Sequence, residues 1–313
     1  MSTSTITSTM KGGILVVDKP AGPTSFAVVD RVRRAFGAAK AGHTGTLDPA
    51  ATGVLAVCVD DAVKVQHWIM EGDKAYEALV LLGFATTTED AEGEETERGD
   101  PSGLTAASVA AALAGFVGEI DQVPPMYSAV RVAGRRLHES ARAGKEVERA
   151  PRKVVVHSLD LLSFEPARDG LARARVAVRC GKGTYVRTLA SALGQAVGVP
   201  AHLGALRRTA SGPFGIGTAT TLDEVERLSR EAPAELAARL VSPAEALASF
   251  PAVPVDPAEA LALSQGKILP RKAPGPLCRA LDAGGGLVAV IGPTPDGEGM
   301  KPLRVFVQPP GKH

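Results

Sequence analysis

Between a helix that ends at Gly37 and the apolar, β-branched run Val54 to Val59 lies GHTGTLDPAATG, residues 42–53, with three glycines and Pro49. Neither a helix nor a strand can run through such a stretch, because glycine forfeits backbone entropy and proline removes a donor and locks φ. The chain must therefore hold a loop between two firm elements. Two glycines allow unusual backbone angles, and Pro49 fixes the chain directly after a carboxylate, Asp48. A stiff loop that presents one Asp can offer a nucleophile or a base. The same residues also fit an Asx-type turn in which Asp48 caps local amides, and His43 fits a surface or packed histidine.

The flanking pattern is mixed. Gly13 to Val17 reads as a short buried strand and Lys19 to Pro23 as a turn. Ser25 reads as the N-cap of a helix with apolar positions at 26, 28, 29, 32 and 36. Tyr76 to Leu82 is a strand candidate and Ala106 to Phe116 a helix. Leu171 to Cys180 is a strand with Arg173, Arg175 and Arg179 on one face, and Arg187 to Val197 a helix ended by Gly198. Thr221 with Glu224, Ser242-Pro243 with Glu245 and Asp256-Pro257 with Glu259 mark three further helix starts. The Pro-rich stretch 250–254 reads as a linker, followed by a helix ending at Gly266 and by strands near 277–281, 287–291 and 303–307. The whole is α+β, not a βαβ repeat, with a boundary near residue 250 and no internal repeat.

Composition and motifs exclude several classes. No run reaches the 18 or so apolar residues of a membrane span, and the Ser/Thr-rich start lacks the basic and apolar regions of a secretory signal. Cys58, Cys180 and Cys278 are odd in number and far apart, which fits a reducing compartment and neither a disulfide framework nor a metal knuckle. His43, His67, His138, His157 and His202 show no metal-ligand spacing, so no metal is expected. Gly181-Lys182-Gly183-Thr184 imitates the end of a P-loop but lacks its first glycine and its Lys-Thr adjacency, and no G-x-S-x-G elbow is present. The net charge of +1 is unevenly spread. Residues 89–100 carry seven acids and one base, whereas 131–153 carry eight bases and three acids, a surplus of +5. A basic stretch interleaved with glycines and Leu137 reads either as a solvated surface or as an RNA-facing hairpin.

The loop GHTGTLDP, preceded by Lys19-Pro20-x-Gly22-x-Thr24-Ser25 and followed by Ala51-Thr52-Gly53, resembles the signature of the bacterial TruB family of pseudouridine synthases. The resemblance continues, in the family's order, through Asp73-Lys74-Ala75-Tyr76, Thr86-x-Thr88-x-Asp90-x-x-Gly93, Val123-Pro124-Pro125-Met126-Tyr127-Ser128-Ala129, Gly183-Thr184-Tyr185-Val186-Arg187 and Ala201-His202-Leu203-x-x-Leu206-Arg207-Arg208. It implies a pseudouridine synthase catalytic fold with a mixed central sheet over 12–250. An RNA-clamping insertion at about 124–153, a disordered tail over 1–11 and a small β-rich, PUA-like domain over 251–313 complete the expected organisation.

It also implies isomerisation of the T-loop uridine of tRNA, position 55 in tRNA numbering, with no cofactor. Asp48 would be the catalytic carboxylate and Arg187 its ion-pair partner. Tyr76 would stack on the flipped base, with Tyr185 and Leu206 lining the pocket. His43 would fill or stabilise the space left by flipping, and Lys19 and Lys64 would contact the RNA backbone, Lys19 by folding its Lys-Pro turn against the loop. Read without the family, Arg187 is the first residue of a helix, Tyr76 a core strand residue, and the lysines ordinary surface groups. The expected partner is tRNA, gripped at its T-arm, elbow and acceptor end, by a cytoplasmic monomer with no obligatory protein partner and no membrane. The rival readings are a non-catalytic RNA-binding or tRNA-folding protein and a guide-RNA-dependent synthase.

Overall fold

The computed structural model describes residues 11–127 and 147–307, with the backbone of the pairs 131–132 and 135–136. The expected tail, apart from Lys11, and the middle of the expected insertion lie outside the described residues. In chain order the elements are β1 (Ile14–Lys19), α1 (Ser25–Ala35), β2 (Ala41–His43), β3 (Thr52–Val59), α2 (Gln66–Met70), β4 (Lys74–Leu82), β5 (Phe84–Thr86) and β6 (Glu95–Arg98). There follow α3 (Ala106–Ala114), β7 (Gly118–Gln122), β8 (Arg131–Val132), β9 (Arg135–Arg136), β10 (Arg152–Arg168), β11 (Leu171–Cys180), α4 (Val186–Val197), β12 (Ala201–Ser211), β13 (Phe214–Gly215) and β14 (Thr220–Thr221). The last third holds α5 (Leu222–Glu231), α6 (Pro233–Ala238), α7 (Pro243–Ala246), β15 (Ala252–Pro254), α8 (Pro257–Ser264), β16 (Cys278–Leu281), β17 (Leu287–Pro293) and β18 (Met300–Val305).

A ten-stranded mixed sheet runs β14-β1-β3-β12-β4-β11-β10-β7, with β2 on β3 and β13 on β12. The β1–β14 and β3–β12 pairs are parallel and the others antiparallel. This is the mixed α+β architecture expected from the sequence. Alternation on β11 follows the predicted pattern, with Ala172, Ala174, Val176 and Val178 buried and the arginines on the other face. The buried residues pack under α3 and α4 through Leu113, Leu189 and Leu193. Leu15, Val17, Leu55 and Val57 pack under α1 and α5.

One cross-strand row decides where the site lies. Lys19 pairs with Gly53, Gly53 with Arg208, Arg208 with Tyr76, and Tyr76 with Val178. Directly opposed residues share a face of the sheet, so one rung across five strands gathers Lys19, Arg208 and Tyr76 beneath the 44–51 loop. Gly53 has φ +98, and a Cβ there would stand 2.2 Å from the Arg208 carbonyl oxygen. The missing side chain is what lets β3 and β12 close.

Three local readings change. The N-cap of α1 is Thr24, whose hydroxyl accepts the Ala27 N–H at 3.1 Å; Ser25 is the first helical residue, and its hydroxyl is used elsewhere. Phe26 is 78% exposed, and α1 buries Val28, Val29 and Val32 instead. The stretch 250–254 is no free linker: β15 pairs in parallel with β16 at the edge of a four-stranded sheet, β15-β16-β17-β18. Pro254 is tolerated because the strand is an edge. That second sheet contributes Leu287 and Val290, and the residue after β18 contributes Phe306, to the cluster holding Ile14, Val54 and Ile69 on the back of the main sheet. The capping boxes at Ser242 and Asp256, the Thr221 cap and the left-handed Gly198 stop are as the sequence predicts. Among the described residues no helix is long and apolar enough to cross a membrane. The three cysteines are free and buried, and burial pushes the Cys58 thiol up to about 12 and Cys180 to about 11.

Gly53→Ala should lose about 3 kcal/mol or more in urea unfolding, since both a positive φ and a backbone clash oppose the new Cβ. Gly37→Ala, with φ +57 and nothing within 4 Å of a built Cβ, should lose only about 1 kcal/mol.

Candidate active site

The 44–51 loop pairs little of its own backbone, so most of its carbonyl groups need donors from outside. Two buried cations supply most of them. Lys19 is fully buried, and its Nζ donates to the carbonyls of Pro20 at 2.9 Å, Pro49 at 2.9 Å and Ala51 at 2.7 Å. Arg208, almost as buried, donates from Nε to Val54 at 2.7 Å, from Nη1 to Thr46 at 3.3 Å and from Nη2 to Gly45 at 2.9 Å. Ser25 Oγ closes the middle, donating to the Leu47 carbonyl and accepting the Leu47 N–H, both at 2.8 Å. The Ala51 N–H donates to Asp48 O, and the Gly22 N–H to Pro49 O.

Lys19 therefore does not meet an RNA backbone. Two of its ammonium hydrogens are spent on the loop and the third on Pro20, and burial pulls its pKa down while Asp48 holds it up. Lys64 pairs with Asp61 at 2.8 Å and lies 5.6 Å from the centre of the Phe306 ring.

On this platform Asp48 remains 45% exposed, while Arg187, only 7% exposed, reaches it with Nη2 at 3.2 Å. The same guanidinium meets Asp90 through Nη1 at 3.2 Å, the Thr88 carbonyl at 3.2 Å and the Tyr127 carbonyl at 2.9 Å. Burial raises the Asp48 pKa, Arg187 and Lys19 draw it back, and Asp90 adds to the rise. The outcome is a carboxyl above its ordinary range: the cation offsets part of the desolvation and not all of it. A cavity of about 520 Å³, with Thr88, Glu92 and Tyr127 in its walls, adjoins the guanidinium.

Tyr76 is part-buried against the core of β4 and β11, and Leu206 packs on the same cluster. Burial raises the phenol's pKa more than the nearby Arg208 charge lowers it, so Tyr76 stays protonated. Tyr185 caps α4 with its backbone clamped by Gln122, whose Oε1 accepts the Tyr185 N–H at 2.7 Å and whose Nε2 donates to the Tyr185 carbonyl at 3.0 Å. His43 Nδ1 accepts the Gly45 N–H at 3.2 Å, which leaves the proton on Nε2. Burial, and then the Arg208 charge, lower its pKa, so the ring is neutral near pH 7.

Sequence reasoning assigned no site role to Asp90, Arg208 or Gln122, and made Ser25 only a helix cap. Arg208 had one available signal: in a strand, Arg207 and Arg208 face opposite ways, so one of two adjacent arginines had to point inward. Arg207 faces the other side and pairs with Asp18 at 2.7 Å. The acidic run divides likewise. Asp90 turns in to Arg187 and Glu89 to Thr188, while Glu95 pairs with Arg98 in solvent. Among the described residues no three His, Cys, Asp or Glu side chains gather as a metal-holding group.

Residues 33–186 match the family described as TruB family pseudouridylate synthase (N terminal domain). Residues 187–249 match the tRNA pseudouridylate synthase B C-terminal domain, and 250–307 tRNA Pseudouridine synthase II, C terminal. The tRNA pseudouridine synthase B of Bacillus cytotoxicus is 40% identical over 300 residues, 94% of this chain and 97% of that one. The chain belongs to the TruB family. It is a pseudouridine synthase, an isomerase. The tRNA pseudouridine synthase B of Symbiobacterium thermophilum is 51% identical over 78% of each chain, and that of Saccharophagus degradans 45% over 82% of this chain and 81% of that one. Among solved structures, a chain of a Cbf5-Nop10-Gar1 complex superposes with a TM-score of 0.70 at 27% identity, covering 95% of this chain and 84% of that one.

In this TruB-family site the Asp48 carboxyl, followed by carboxyl-carbon NMR, should titrate above the ordinary carboxylate range. Arg187→Gln should move it further up, because that change removes the larger of the two cations that draw it down. A downward shift would show that Arg187 is not the partner that governs it.

Proposed function

We propose that the chain isomerises the uridine at position 55, in the T-loop of tRNA, to pseudouridine, with Asp48 as the catalytic carboxylate. The observation that carries this reading is the half-open Asp48 carboxylate on a loop whose carbonyls are held by buried donors, paired with a buried arginine at 3.2 Å. The tRNA substrate is supported by relatives at 40 to 51% identity named tRNA pseudouridine synthase B.

The reaction breaks the N1–C1′ bond, turns the uracil and joins C5 to C1′; the C5 proton leaves and N1 gains one. The base is kept, so no water is activated. One carboxylate is enough, where ordinary glycoside hydrolysis uses two. Attack at C1′ and removal of a 2′ proton both require that carboxylate ionised at the ribose. Arg187 keeps it ionised in a partly desolvated pocket. A base inside a folded loop must be extruded at a cost of roughly a few kcal/mol, and Tyr76 supplies the face on which it stacks, with Tyr185 and Leu206 beside it. Neutral His43 fills or stabilises the space left by the flipped nucleotide and takes no proton.

Binding is by shape and phosphate contact along the T-arm and elbow, with the 124–153 segment as the clamp. The β-rich unit after residue 250, PUA-like, meets the acceptor end. The enzyme acts as a cytoplasmic monomer without a guide RNA or protein partner.

Release of tritium from C5 of uridine-labelled tRNA transcripts tests this directly. Purified protein alone should release label only when the T-loop uridine is present. Asp48→Asn should bind tRNA within about twofold of wild type and turn over nothing detectable. Release by Asp48→Asn would remove the carboxylate from the mechanism. Binding without release by the wild type would favour the guide-dependent or RNA-folding reading.

A further inference from the structure

Asp90 meets Arg187; the residue before it, Glu89, meets the residue after Arg187. Glu89 Oε2 accepts the Thr188 hydroxyl at 2.7 Å, one rung beside the 3.2 Å Asp90–Arg187 pair. Two adjacent acids thus clamp two adjacent residues of the first turn of α4. That turn has no side-chain cap of its own. Glu89 holds φ +63, one of three non-glycine residues with positive φ among those described. Strain of this kind persists only where the surroundings over-determine it, and it gathers at functional sites. Here the Glu89 N–H donates to Thr86 O at 3.2 Å and its carbonyl accepts the Leu203 N–H at 2.9 Å, tying the turn to β12.

The charged groups around Glu89 come from three segments: Arg187 from α4, Arg149 from the stretch before β10, and Asp90 from its own turn. Burial raises the carboxyl's pKa, and the Thr188 hydrogen bond and the two arginines lower it. Arg149 donates Nη1 to the Pro124 carbonyl, while its buried Nε has no partner.

We propose that Glu89 is a positioning residue for the isomerisation: through Thr188 it fixes the first turn of α4, so that Arg187 keeps its guanidinium on Asp48 as well as on Asp90. This rests on Asp48 being the catalytic carboxylate. The need for such a clamp follows from exposure. Asp90 is 15% exposed and Asp48 45%, and an ion pair strengthens as solvent is excluded. A loosened α4 would therefore let Arg187 settle on Asp90 and leave Asp48 undirected. The fold would survive this change, and the aim of one cation would not.

The test is steady-state turnover on tRNA transcripts for Glu89→Ala, Glu89→Gln, Glu89→Gly, Thr188→Val and the Ala/Val double variant, with Asp48→Asn in the same series. Glu89→Ala and Thr188→Val should each lower kcat roughly tenfold, the scale of one hydrogen bond, with KM within about twofold. The double variant should be no worse than either single change. Glu89→Gln keeps the acceptor oxygen and should retain most of kcat. Glu89→Gly relieves the backbone, so its thermal midpoint should equal or exceed the wild type while kcat falls as in Glu89→Ala. A residue needed only for folding would lose both together.

Wild-type kcat in Glu89→Ala and Thr188→Val, or additive losses in the double variant, would overturn the proposal. So would Glu89→Gln as impaired as Glu89→Ala. Turnover by Asp48→Asn would instead bring down the catalytic reading itself, whereas an inactive Asp48→Asn beside normal Glu89 variants would reject the positioning role alone.

Discussion

The site depends on two buried cations that, among the described residues, pair with carbonyl oxygens and with no carboxylate. Lys19 and Arg208 each donate three hydrogen bonds to carbonyl oxygens of the chain around the active loop. Burying a cation costs several kcal/mol even after relaxation, and an unpaired buried carbonyl also carries a penalty. Each debt is the other's remedy. A loop rich in glycine and proline cannot satisfy its acceptors by secondary structure, and water in their place would leave the loop soft. Protein donors from β1 and β12 do the same task with the rigidity of the sheet. Asp48 is consequently fixed in direction although it sits on a loop, which on the proposed function is the preorganisation that bond-making at one carbon requires.

The same arrangement explains why Asp48 is ionisable yet not comfortable. A carboxylate matched perfectly by cations would be a poor base and a poor nucleophile, while one left alone in a pocket would hold its proton. Here burial pushes up, Arg187 and Lys19 pull down, and Asp90 competes for Arg187. Sharing one guanidinium between two carboxylates keeps Asp48 above the ordinary range without neutralising it. Asp90 thus sets how much of Arg187 is left for Asp48.

How much of this was legible depends on whether a signal is local. The loop between the first helix and the Val54–Val59 run, the alternation on β11, the Gly198 stop and the caps at Thr221, Ser242 and Asp256 are set by neighbours in sequence and were readable, although the expected bounds 42–53 ran into β2 at Gly42-His43 and into β3 at Thr52-Gly53. Thr24 displaced Ser25 as a cap because Leu47, 22 residues on, claims the Ser25 hydroxyl. Phe26 left the expected apolar face because its neighbour had to point at the loop. Lys19 looked like a surface lysine, since charge alone does not tell a solvated ammonium from one buried on carbonyls. The loop itself held the missing clue: its unpaired acceptors had to be met by donors from elsewhere. Which donors is a matter of strand register, and register brings positions 19, 53, 76 and 208 into one row.

That row also ties the reaction to the far side of the molecule. Lys19, Arg208 and Tyr76 stand on one face of the sheet, whereas Ile14, Val16, Val54 and Ala56, on the alternate positions of β1 and β3, pack the other face. There they share a cluster with Leu287, Val290 and Phe306 of the carboxy-terminal unit. Arg279 adds hydrogen bonds from the second sheet to the carbonyls of Ala244 at 2.7 Å and Phe250 at 2.9 Å. The carboxy-terminal unit is therefore held by a packed core and by directional bonds, not hung on a flexible tether. On the proposed function this matters for recognition. An RNA that touches both units is measured against a fixed separation, so a substrate of the wrong shape loses one set of contacts when it makes the other. Shape selectivity then comes from the same sheet that aims Asp48, with no base contact needed at the second unit.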